Sequence, residues 1–333
     1  MAIAPERRHL VSAAYGRELS DEKTTETTLL TTESVVAGVA HSCLRGWRLS
    51  MEDEAVLELL TPALGCFAVL DGHGGSFCSR WGADELPRRL HHIALLVERS
   101  TEADEARQVA QQLSEAVRQM DADLRTRGRP AWACGSTLVV LLVTERSLTV
   151  ANLGDSRAVL CRAGMALPLS RDHKPKSAAE RQRILQAGGF IVDGRVNGDL
   201  SLSRALGDFR HKCVANLPPA KQPISAEPEL LTAGAPTPIT VVTVAHQRNR
   251  RQPRPKLASS FKGIASTGPL WRRANATASA ASRRLQQTYE LAYASQNATT
   301  LQMSVTSERA RAPSITDSPP HRGTSARTVP LSM

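Results

Sequence analysis

The stretch Asp71-Gly72-His73-Gly74-Gly75 follows the apolar run Phe67-Ala68-Val69-Leu70 and places a carboxylate and an imidazole where that run ends. Cys66 to Leu70 have the length and composition of a buried strand. The glycines after it permit a sharp backbone turn. A carboxylate at the tip of a rigid strand is held still, as a metal ligand or a catalytic acid must be. Asp-Gly is also an ordinary turn, so this stretch alone leaves both readings open. Three more acidic stations accompany it. Glu52-Asp53 follows Arg48, Asp155 lies in Asn152-Leu153-Gly154-Asp155-Ser156-Arg157, and Asp208 lies in Ser203-Arg204-Ala205-Leu206-Gly207-Asp208-Phe209. Each acid alone reads more readily as a turn cap or a surface ion pair than as a ligand. Several carboxylates at strand ends, without a Cys/His ligand set, point to a hard divalent cation, Mg²⁺ or Mn²⁺, rather than zinc.

The elements that must position these groups follow from periodicity. Strands are predicted over Val35–Leu44, Ala55–Leu60, Cys66–Leu70, Thr137–Val143, Ser147–Leu153 and Arg157–Arg162, with a last one over Pro238–Ala245. Ser76–Val97 reads as one helix. Thr101–Arg127 reads as the best one, with Ala106, Val109, Leu113, Val117, Met120 and Leu124 on a single stripe. Ser177 and Glu180 read as the capping box of a short helix that stops at Gly188-Gly189. Residues 1–34 are Thr- and Glu-rich and read as a mostly disordered lead-in; a domain is expected over 35–232. Residues 233–333 read as a basic Ala/Ser/Thr/Pro/Arg-rich tail, mostly disordered, with a possible helix over Trp271–Ser295 and no other convincing element beyond His246.

Charge supports that division. From Leu231 onward there are 14 basic and 3 acidic residues, while the preceding 230 hold 28 and 29, so the net charge of +10 belongs to the C-terminal third. A solvated basic tail explains this better than a nucleic-acid interface, because neither aromatic interleaving nor a recognition motif accompanies it. The six cysteines (Cys43, Cys66, Cys78, Cys134, Cys161 and Cys213) include no C-x-x-C pair and read as reduced core residues. No apolar run approaches the roughly 18 residues of a membrane span. No apolar signal region follows Met1–His9. The expectation is an intracellular protein of the cytoplasm or nucleus, not secreted.

Taken together, seven segments in order resemble the metal-dependent protein serine/threonine phosphatases, the protein phosphatase 2C family. They are Gly46-Trp47-Arg48 with Met51-Glu52-Asp53; Phe67 to Gly75; Cys134-Gly135-Ser136-Thr137; Ala151-Asn152 with Gly154 to Arg157; Ser170 with Asp172-His173-Lys174-Pro175; Glu180 with Arg183-Ile184 and Gly188-Gly189; and Arg195 to Asp208. The resemblance implies an α/β (α+β) four-layer sandwich, two antiparallel β-sheets flanked by helices. It implies hydrolysis of phosphoserine and phosphothreonine in proteins by a metal-activated hydroxide at a binuclear Mg²⁺ or Mn²⁺ centre. It further implies that Asp71, the Gly72 carbonyl, Glu52 and Asp53 serve the metals and that Asp155 serves an additional one. By the same resemblance Arg48 grips the substrate phosphate and His73 protonates the leaving oxygen, with Arg195 and Asp208 near the cleft. Asn197 and Arg204 lie in the same segment, where a scaffold role is as well supported. Asp172-His173-Lys174-Pro175 reads as a structural turn. Phosphoprotein substrates and a monomer are implied, without membrane or specific nucleic-acid contacts.

The pattern stops after Ala226-Glu227-Pro228-Glu229. An Asp-Gly-x-x-Asp motif and an Asp-Asn pair should follow, yet neither Asp-Gly nor Asp-Asn occurs after Leu231. Fewer charged oxygens mean weaker binding of hard cations. Two readings therefore stand: a metal-dependent phosphatase with its last strands incomplete, or a catalytically impaired phosphatase-like module that binds phosphoproteins or partners.

Overall fold

The computed structural model describes residues 15–29, 35–36, 38–99, 101–162, 165–234, 239–244 and 300–305. Its centre is β4 (Leu64–His73), whose first nine residues are all buried. A strand can be apolar throughout only if both its faces are covered, and alternate side chains show how that is done here. Cys66, Ala68 and Leu70 join one apolar cluster, while Phe67 and Val69 join another. The same alternation divides β6 (Leu138–Val143), with Leu138, Val140 and Leu142 on the first side and Val139, Leu141 and Val143 on the second.

The first cluster is closed by helices α1 (Phe77–Leu90), α2 (Ile93–Arg99) and α3 (Glu102–Arg125). Of the predicted stripe of α3, Val109, Leu113, Val117, Met120 and Leu124 are fully buried in it, while Ala106 at its start is only partly buried. Each such aliphatic side chain contributes roughly 1.5–3 kcal/mol by leaving water. The second cluster joins β4, β6 and β7 (Ser147–Leu153) to Val39 of β2 (Gly38–Arg48) and to Ala158 and Leu160 of β8 (Arg157–Arg162).

Two antiparallel sheets result. One runs β12 (Leu206–Gly207), β5 (Gly135–Ser136), β4, β6, β7, β13 (Glu229–Gly234), with β3 (Asp53–Thr61) also paired to β4. The other runs β1 (Tyr15–Leu29), β2, β15 (Thr300–Val305), β14 (Ile239–Val244), β8, β9 (Met165–Pro168). The architecture is α+β, as expected. A short helix α4 (Arg129–Ala133) precedes β5, and helix α5 (Ala178–Gln186) and a small hairpin of β10 (Ile191–Val192) and β11 (Arg195–Val196) connect β9 to β12. Among the described residues no helix is long and apolar enough to cross a membrane.

Four expectations are corrected. Residues 15–29, read as disordered, form β1 against β2. Its threonines suit a strand, and composition alone hid them. In the tail, β15 inserts between β14 and β2, so the last strands are not confined to β14. Its residues Thr300-Leu301-Gln302-Met303-Ser304-Val305 alternate with period two, a short signal set among low-complexity neighbours. The single helix over Ser76–Val97 is two, broken at the exposed His91 and His92 so that Ile93, Ala94 and Val97 can turn onto the core. Finally, Ser177 and Glu180 form no capping box; Glu180 is drawn into a buried ion network instead. The possible helix over Trp271–Ser295 lies outside the described residues.

Candidate active site

The acidic stations converge on the end of β4. Asp53 is the cross-strand partner of Asp71. The Glu52 carbonyl accepts hydrogen bonds from the Gly72 N–H at 3.2 Å and from Ser79 Oγ, in the first turn of α1, at 2.6 Å. A Cβ on Gly72 would sit 2.3 Å from that carbonyl, so glycine is what lets the Glu52 backbone and the strand end approach. The Glu52 carboxylate receives Ser50 Oγ at 3.2 Å. Arg48 closes β2 just before this bend and is partly buried; the Arg45 guanidinium holds its carbonyl at 3.2 Å.

Asp71 is buried and tied to the next strands by a hydroxyl relay. Its N–H donates to Thr137 Oγ1 at 2.9 Å, and its carbonyl accepts from the Thr137 N–H at 3.0 Å. Thr137 Oγ1 is 2.6 Å from Ser156 Oγ, beside Asp155. Thr137 and Ser156 lie in two of the seven segments, but sequence assigns neither a role, because a hydroxyl that braces a backbone has no spacing of its own to read.

His73, one pleat beyond Gly72, faces Asp208, with Nε2 2.8 Å from Oδ2 and 3.0 Å from Oδ1. Burial disfavours the charged ring. Asp208 outweighs it, helped by the charges of Asp71 and Asp155, and pushes His73 up to about 9. Asp208 is delivered by a left-handed backbone (φ 51°) after β12, and its N–H donates to the Cys134 carbonyl at 3.1 Å. Gly135 lies under the pair: a Cβ there would be 2.3 Å from Asp208 Oδ2 and 2.6 Å from His73 Nε2.

Asp155 is buried and ion-paired with Lys174. Lys174 sits in the Asp172-His173-Lys174-Pro175 turn, which is structural as expected. Arg157 grips Asp172 through two hydrogen bonds, at 2.8 and 2.7 Å, and the Gly154 N–H donates to His173 Nδ1 at 3.1 Å. Burial first, then Arg204, drives His173 down to about 4. Arg204 is likewise scaffold. It binds Glu180 Oε1 and the Glu227 carbonyl, while Arg183 and Ser203 bind Glu180 Oε2. Glu180 stays ionised down to about 2, because these partners overcome its burial. Arg195 lies on the β10–β11 hairpin and holds the Asp199 carbonyl. Asn197, with φ 50°, caps the same hairpin by accepting the Phe190 N–H at 3.1 Å.

The structure thus brings Glu52, Asp53, Asp71, Gly72, His73, Asp155 and Asp208 to one end of the first sheet. In kind the carboxylates suit Mg²⁺ or Mn²⁺. In number they fall short: among the described residues no three His, Cys, Asp or Glu side chains converge to hold an ion, and Asp155 already has Lys174 as its counter-charge.

The fold and this acidic strand end define an α+β protein of two antiparallel sheets with carboxylates gathered at the end of one of them. The protein phosphatase 2C profile matches residues 37–235, and the chain belongs to that family. It is 44% identical over 196 residues to "Probable protein phosphatase 1N" of Mus musculus, covering 57% of this chain and 46% of that protein. It is 39% identical over 225 residues to "Probable protein phosphatase 2C 6" of Paramecium tetraurelia, covering 65% and 74%. The chain therefore spans less than half of the mouse relative. A solved phosphatase from a pathogenic strain of Toxoplasma gondii shares the fold, with a TM-score of 0.62 at 20% identity over 86% of this chain and 96% of that one. The serine-threonine phosphatase 2C from Toxoplasma gondii does so with a TM-score of 0.59 at 19% identity, over 85% and 99%.

Proposed function

We propose that this chain hydrolyses phosphoserine and phosphothreonine in proteins and depends on Mg²⁺ or Mn²⁺. The observation that supports it most is the His73–Asp208 pair, with Nε2 2.8 Å from Oδ2, beside the buried Asp71 at the end of β4. A serine or threonine alkoxide leaves poorly, so a positioned proton donor is needed, and His73 supplies it while Asp208 keeps the ring charged and oriented. Arg48 offers a planar fork to two phosphate oxygens. Asp71, the Gly72 carbonyl, Glu52, Asp53 and Asp155 are the residues that would hold a cation. Its chemistry would be to lower the pKa of water so that a nucleophile exists at neutral pH. The reading carries with it phosphoprotein substrates, a monomer and an intracellular setting in cytoplasm or nucleus.

The second reading, an impaired phosphatase-like module that binds phosphoproteins or partners without turnover, is favoured by the Lys174–Asp155 pair and by the shortage of converging carboxylates. The two separate in one assay: phosphopeptide dephosphorylation by the full chain across Mn²⁺ and Mg²⁺ concentrations, with Asp71→Asn alongside. Metal-dependent turnover that falls at least a hundredfold in the variant is the expected result. No turnover from folded protein up to tens of millimolar metal would leave the binding module as the function.

A further inference from the structure

Behind His73, two thiols that the phosphatase reading does not use meet in the core. Cys78 is the second residue of α1, and Cys134 is the residue between α4 and β5. Their sulphurs are 3.1 Å apart, although the residues are 56 positions apart in sequence. Cys78 is fully buried and Cys134 is 3% exposed. Both belong to the apolar core cluster, and their other hydrogen-bonding contacts are to carbonyls: Ala131 O and Cys134 O lie 3.7 and 3.4 Å from Cys78 Sγ, and Pro130 O lies 3.3 Å from Cys134 Sγ. An approach of roughly 1 Å would bring the sulphurs to the ~2.05 Å of a covalent bond.

We propose that Cys78 and Cys134 are an oxidisable dithiol, a modification site that closes to a disulfide with a peroxide as oxidant. Cys134 is the attacking sulphur, being the one with residual access. Its thiolate attacks one peroxide oxygen and the O–O bond breaks, leaving a sulfenic acid and, after proton uptake, water. The Cys78 sulphur then displaces the hydroxyl from Cys134; its own proton leaves with that hydroxyl as a second water. Two thiols lose two electrons and one hydrogen peroxide becomes two waters. The electrostatics agree with this division of roles. The Cys78 thiol beside it holds Cys134 down at about 7, against its burial, whereas that same contact and burial push Cys78 up.

The placement gives the bond a consequence. The Cys134 carbonyl accepts the Asp208 N–H, and the next residue, Gly135, underlies both Asp208 and His73. A staple between α1 and the start of β5 would act on the backbone that carries the pair. That consequence for catalysis rests on the phosphatase reading, but the oxidation itself does not.

The test is mass spectrometry on the full chain treated with hydrogen peroxide, then unfolded and alkylated. The expected result is four of the six cysteines alkylated, a Cys78–Cys134 cross-linked peptide, and return to six after dithiothreitol. Six alkylated cysteines after treatment, a cross-link between other positions, or Cys134 sulfinic acid without a cross-link would overturn the proposal. In Cys78→Ser the reaction should stop at a Cys134 sulfenic acid that dimedone traps. Should that variant fail to fold, the wild-type peptide map still decides.

Discussion

His73 and His173 show how neighbours, not residue type, set what a histidine does. His73 has a carboxylate at 2.8 Å and holds its charge. His173 is buried near two arginines and accepts the Gly154 N–H through Nδ1, so its ring must be neutral to make that bond. The sign of the resulting pH dependence follows. With the folded value near 4 and the unfolded value near 6.5, the unfolded chain takes up the proton first. The stability that neutral His173 contributes is complete above pH 6.5 and is lost as pH falls toward 4, at up to about 1.4 kcal/mol per pH unit. Glu180, near 2 when folded, adds its own loss only below pH 4.5, and the raised value of His73 acts above 6.5. Between pH 6.5 and 4.5, then, urea midpoints should decline in the wild type and decline less in His173→Gln, which keeps an acceptor but does not titrate. Equal slopes would show that His173 is not the titrating group. Sequence identified His173 as structural and Asp155 as an acidic station. It did not reveal that Lys174, one residue on from His173, neutralises Asp155, because a pair across two turns leaves no spacing to read.

At the scale of elements, the junction between Glu52 and the end of β4 is where the fold is least tolerant. A methyl on Gly72 meets the Glu52 carbonyl at 2.3 Å and Ser79 Oγ at 2.7 Å, and the first of these is backbone that cannot swing aside. Gly72→Ala should destabilise the protein by about 1–3 kcal/mol, the usual range for an overpacked site. Gly234→Ala, at the end of β13 with nothing within 4 Å of the added carbon, should leave the urea midpoint nearly unchanged. Equal midpoints for both variants would refute the crowding. Strands such as β6, β7 and β8 were legible because each is an apolar run bounded by turns. By contrast β1 was not, since a polar, threonine-rich segment becomes a strand only when a partner, here β2, offers its hydrogen bonds, and the alternation of β15 is a short signal set in a low-complexity tail. The break between α1 and α2 was equally invisible, because no glycine marks it and the core decides where the chain turns.

For the whole molecule, periodicity alone supplied strands and helices but not their arrangement. The two-sheet architecture came from the order of seven motifs, and the matched region, residues 37–235, holds every acidic station of the site. The central sheet is a patchwork in sequence: β12 and β13 lie beside strands made far earlier in the chain. Time enters here. His73 and Asp208 are 135 residues apart, so their pairing must close a long loop after the local hairpins and helices have formed. The His73–Asp208 pair is therefore expected to be among the last contacts made, a mark of completed folding rather than a seed for it. Trp132 stacks 5.6 Å from Phe209, the neighbour of Asp208, and can report the event. In a chain whose other three tryptophans are phenylalanine, its fluorescence should recover more slowly on refolding than far-ultraviolet ellipticity. Coincident rates would mean that residues 208–209 dock with the first collapse. A slower rate would mean that the chain spends its early life folded in outline, with His73 still waiting for its partner.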